Sequence, residues 1–149
     1  MDTVTLHTMV DGPLVAAGWD RMGDDGWDRQ VELDPSGLPV HLALVPLGED
    51  TTDAPIVFLA SLPVLVAGPD RGAAAAVVGE FAAGRVPVGT VVLVEGDVRY
   101  RLSHDPRLAP HSAERALALA AVGEDWASAA LPDLVRALGS AGVTFEDVP

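Results

Sequence analysis

The apolar positions of this chain change period several times, and each change marks an element. Val4 to Trp19 carries apolar residues at a loose helical spacing. Pro13 suits the first turn of a helix starting at Asp11-Gly12, and Gly18 suits its end. From Arg29 the period becomes two. Gln30-Val31-Glu32-Leu33-Asp34 alternates, which puts Val31 and Leu33 on one side of a strand. Pro35-Ser36-Gly37 is a turn, and Val40 to Val45 follows as a second strand. A third runs from Ile56 to Leu62. It is apolar on both faces, so it is expected to be covered on both sides or buried in a subunit contact.

The second half of the chain opens on a helix. Asp70 reads as an N-cap, and Ala74, Val77, Val78 and Phe81 form one stripe along Arg71 to Ala83. Gly84 is the expected residue just past its end. Thr90 to Val94, the turn Glu95-Gly96-Asp97 and Val98 to Leu102 make a hairpin, with Val98, Tyr100 and Leu102 on one face. Pro110 and Ser112 open a helix that runs to Val122, where Gly123 interrupts it. Trp126 to Leu138 is the last helix, with Pro132 marking a kink or a fresh start. The order αβββαββα predicts an α+β fold: a twisted, five-stranded antiparallel sheet with flanking helices, in one domain over residues 1–149.

Composition narrows the chemistry. The 149 residues carry 22 acidic and 9 basic side chains, a formal charge of −13, and every basic residue is arginine. There is no lysine, cysteine or asparagine, and isoleucine appears only at Ile56, a bias typical of a GC-rich bacterial genome. Without cysteine there is no disulfide, thiolate metal site, iron–sulfur cluster or thiol nucleophile. Without lysine there is no Walker lysine, Schiff base or Ser–Lys dyad. Direct nucleic-acid binding needs clustered cations, whereas these arginines are scattered among acids. An acidic surface favours basic partners instead. Met1-Asp2-Thr3 begins no cationic and apolar leader, and the most apolar stretch, Ala54 to Gly68, is broken by Pro55 and Pro63. Spanning a bilayer takes about 20 apolar residues, so a cytoplasmic protein without membrane contact is expected.

The stretch from Glu80 to Arg85, and then Thr90 to Arg101 with its Arg99-Tyr100-Arg101 strand, resembles the YbjN family. Proteins of that family look similar in fold to the chaperones of type III secretion. The resemblance implies a homodimer that binds another protein and has no catalytic apparatus. It covers nearly the whole chain through the element order, although many members carry an asparagine in the middle helix and this chain has none.

Other constellations give weaker leads. His104 and His111, with Asp105 and Arg107 between them, have the residue types of a hydrolytic or metal-dependent site. However, Ser103-His104-Asp105 are adjacent in an extended strand and cannot form a relay among themselves. The loop Asp20 to Asp28 holds Asp24, Asp25 and two glycines, but no frame matches a calcium-binding helix–loop–helix. The glycines from Gly68 to Gly89 miss the dinucleotide spacing. No cofactor and no metal are expected. Trp19 and Trp27 bracket the acidic loop, and an exposed tryptophan beside Asp24 and Asp25 would suit a basic, partly apolar client. Apolar docking faces are expected from Phe58, Leu62 and Val64, or from Leu93, Val98 and Tyr100.

Overall fold

The computed structural model describes residues 5–22, 26–47, 54–104 and 110–147. Helix α1 (Leu6–Ala16) starts at Thr5, not at Asp11-Gly12. The Thr5 hydroxyl accepts from the Thr8 amide, and Thr8 Oγ1 accepts from the Thr5 amide. These two bonds satisfy amides that have no partner within the helix, so the helix begins there. Pro13 therefore lies inside the helix, on its exposed side, where the missing amide hydrogen is best tolerated. Leu6, Val10 and Leu14, spaced four apart, are its buried stripe.

Among the described residues the sheet has seven strands, all antiparallel, where five were expected. They are β1 (Asp20–Arg21), β2 (Trp27–Leu33), β3 (Leu38–Pro46), β4 (Ile56–Val66), β5 (Thr90–Val94), β6 (Asp97–His104) and β7 (Phe145–Asp147). Their order across the sheet is β1-β2-β3-β4-β6-β5, with β7 added beside β4. The two extra strands are two and three residues long. Neither has room for an alternating pattern, so pairing with a longer neighbour makes them strands. Strand β4 outruns its expected end at Leu62 because a register shift between Ser61 and Leu65 absorbs Pro63. Proline cannot donate to a ladder, and a bulge lets the strand continue past it. Beyond the shift, Val64, Leu65 and Val66 pair with Asp147, Glu146 and Phe145 of β7.

Glu95 and Gly96 alone make the β5–β6 turn, both with positive φ, and Asp97 already belongs to the strand. A two-residue turn of this hand matches the twist of the strands, and glycine adopts it without strain.

Helix α2 (Arg71–Gly84) packs on β5, and α3 (Ala113–Ser140) crosses β4 and β6 while touching α1 and α2. The predicted interruption at Gly123 is absent: α3 is one helix of 28 residues, with Pro132 inside it. Gly123 is instead where the helix meets the sheet. A Cβ there would overlap the Phe58 ring, with Cγ only 2.6 Å away. All three helices lie on one face of the sheet. Leu42, Leu44, Phe58, Tyr100, Leu131 and Leu134 are among the residues of the single core cluster between them.

Asp70 occupies the residue before α2, but its carboxylate does not cap the helix. Oδ2 accepts from the amide and the hydroxyl of Thr144, which fastens the segment leading to β7. Those hydrogen bonds lower the pKa of Asp70. Arg21 does the same for Asp11, with help from the Trp27 indole, and takes its pKa to about 2. Both carboxyls bind protons more weakly when folded. Their contribution is complete above the unfolded value of about 4 and is lost as pH falls through their lowered values, for Asp11 about 2. Stability measured by denaturant titration should therefore drop over that window. Asp11→Asn should flatten the drop, because the amide oxygen keeps the indole bond while the charge is gone. An unchanged acid slope in that variant would refute the assignment.

Candidate functional site

Strand pairing determines what the second face of the sheet carries. Directly paired residues point the same way, so rows can be read across the sheet. One row is Asp28, Ala43, Leu59, Arg101 and Thr90. The next is Gln30, His41, Ser61, Arg99 and Val92. Val45, Val57 and Ser103 form a shorter third. The residues between these rows, such as Trp27, Phe58 and Tyr100, face the helices. No described element packs on the outer face.

That outer face has an ordered charge pattern. Its middle strands carry Ala43, Val45, Val57 and Leu59. Ala43 and Val57 are buried, while Val45 and Leu59 stay partly exposed. Asp28 and Glu32 lie on the β2 side, and Arg99 and Arg101 on the β6 side, where Asp97 accompanies them. His41 Nε2 donates to Asp28 Oδ2 at 2.8 Å, and Arg99 Nε donates to Asp97 Oδ2 at 2.8 Å. Arg101 is exposed and has no ion pair among the described residues. An open hollow of about 330 Å³ lies where β3 and β4 part, lined by residues including Gln30, Glu32, Pro39, His41 and Pro63.

The docking residues expected from the sequence are mostly elsewhere. Trp27 is fully buried: its ring lies 4.5 Å from that of His7, and its Nε1 donates to Asp11 Oδ1 at 2.9 Å. Trp19 is 5% exposed, with the Arg29 guanidinium 5.6 Å from its ring centre. The exposed-tryptophan reading is thus corrected. Strand β2 begins at Trp27, two residues earlier than the alternation expected from Arg29, and this puts Trp27 on the same side as Val31 and Leu33. Phe58, Leu62, Val98 and Tyr100 are buried in the core, so neither expected apolar face is free as a surface. Burial pushes the Tyr100 hydroxyl up to about 12, and it donates to the Val88 carbonyl. Leu93 and Val64 are partly buried against the same core. Asp24 and Asp25 lie outside the described residues.

A different set of acids forms a groove. Glu32, Asp34, Glu124 and Asp125, with Ser128, line an open space of about 400 Å³ between the β2–β3 turn and α3. No basic side chain lines it. The sequence spreads these residues over two distant segments, and only the packing of α3 against the sheet unites them.

The histidine cluster is half formed. His104 and His111 do come together, with ring centres 5.1 Å apart. His111 is 7% exposed, and its Nε2 donates to the Ala54 carbonyl. The ring thereby ties the start of α3 to the approach to β4. Asp105 and Arg107 lie outside the described residues. Among the described residues no group of three or more histidine or acidic side chains is placed to hold a metal ion, and no helix is long and apolar enough to cross a membrane.

Comparison of the chain with protein families, with curated proteins and with solved structures finds no match.

Proposed function

We propose that this chain is a non-catalytic, dimeric protein-binding adaptor of chaperone-like type that engages a basic client protein. The observation that carries this reading is the half-covered sheet. Three helices occupy one face, while the other carries the partly exposed Val45 and Leu59 between charged margins. A surface of that make-up is suited to contact with another polypeptide. The charge of −13 and the groove of Glu32, Asp34, Glu124 and Asp125 favour a client segment rich in arginine or lysine. A nucleic-acid-binding protein is one such client. The resemblance of Glu80 to Arg101 to the YbjN family, and through it to secretion chaperones, implies the same kind of role.

The competing reading is a hydrolytic or metal-dependent site at His104 and His111. It draws on the closeness of the two rings. The bond from His111 to Ala54 favours a structural role for that ring instead.

The client half of the proposal is tested with labelled peptides of equal length, one arginine-rich and one glutamate-rich. The arginine-rich peptide should bind, more weakly as salt rises. The Glu124→Gln/Asp125→Asn double variant should weaken that binding several-fold and flatten its salt dependence. Equal binding of both peptides, or none of either at low salt, would remove the basic client.

A further inference from the structure

We infer that the outer face of the sheet is closed by a second copy of this chain, related by a two-fold axis that lies in the interface parallel to the strands, between β3 and β4. The inference deepens the proposal of a dimer and rests on it. Strand order places β3 and β4 at the centre of the six-strand path, with β2 and β6 flanking them. An axis along the strands exchanges β3 with β4 and β2 with β6, and it keeps each residue at its own height. The row register then decides the contacts. Asp28 and Arg101 share one row, so each Asp28 meets Arg101 of the second copy, twice per dimer. Ala43, in the same row, meets Leu59 of the second copy, a small residue opposite a large one. Val45 meets Val57 in the next row.

The alternative axis, across the strands, sets β2 on β2 and β6 on β6. Centred on the row of Gln30 and Arg99, that axis apposes Asp28 with Glu32 and Arg99 with its own copy, and it offers Arg101 only Asp97, whose Oδ2 is already taken by Arg99, which disfavours it. Face-to-face sheets sit about 10 Å apart, a gap that an arginine and an aspartate can close from opposite sides. The groups at the margin are ready for it. Asp28 uses only Oδ2 for His41, and Arg101 has no ion pair among the described residues. Such a pairing also gives a physical reason for a central strand that is apolar on both faces, Ile56 to Leu62.

The experiment is light scattering and native mass spectrometry on the full chain and on two variants, Asp28→Arg and Arg101→Asp. The unaltered chain should be a dimer. Each variant alone places like charges at both pairs, so its dimer should weaken on the order of a hundredfold. Mixing the two variants restores both pairs and should give a one-to-one heterodimer, an outcome that also requires both to be folded. A monomeric unaltered chain would overturn the dimer itself, and this inference with it. A dimer that both variants leave unchanged would keep the adaptor reading but overturn this interface, as pairing through the β5 edge would.

Discussion

Trp27→Ala should cost about 3–5 kcal/mol of folding stability, measured by urea denaturation. The side chain is fully buried at the start of β2, beneath the ring of His7. Its removal leaves a large cavity, and Asp11 loses the indole that donates to it. Domains of this size have only about 5–15 kcal/mol in total, so much of the variant would unfold on mild heating. The outcome separates two roles for the same residue. A tryptophan serving as a partner contact would lose binding and keep its stability. A tryptophan built into the core loses stability first. A Trp27→Ala protein as stable as the parent would return this residue to the surface.

Gly123→Ala should destabilise by about 1–3 kcal/mol, although alanine is the better helix former by about 1 kcal/mol. The new methyl group would collide with the Phe58 ring, so helix or ring must move. Gly79 provides the control. It lies in α2 with no atom near the position of its absent Cβ, and Gly79→Ala should be neutral or stabilising. The cause can be isolated in a double-mutant cycle. In a Phe58→Leu background the added methyl group has room, and Gly123→Ala should then cost much less. A full penalty in that background would mean the ring is not what excludes the side chain.

Gly123 also shows where reasoning from sequence stops. Glycine is a weak helix former, which is why a break is expected there. The helix continues because a side chain at that point would collide with the sheet, and this long-range contact leaves no local trace. Asp70 is similar. Its position before a helix suggests a cap, but its carboxylate is taken by Thr144, seventy-four residues away. Trp27 was expected at the surface from composition and a neighbouring acidic loop, with the alternation starting only at Arg29. The strand in fact begins at Trp27, and extending the same alternation back by two residues puts the side chain in the core.

The chain's own pattern determined that this is an α+β protein, with the hairpins at Pro35-Ser36-Gly37 and Glu95-Gly96 and helices beginning at Arg71 and after Ser112. Those features depend on periodicity, turn residues and caps, which act over a few residues. Only the tertiary structure decided that all three helices share one face, that β1 and β7 extend the sheet, and that Asp28 and Arg101 stand in one row across four strands. Such placements come from contacts between segments far apart in the chain, and the register that sets them is a property of paired strands, which no single strand encodes.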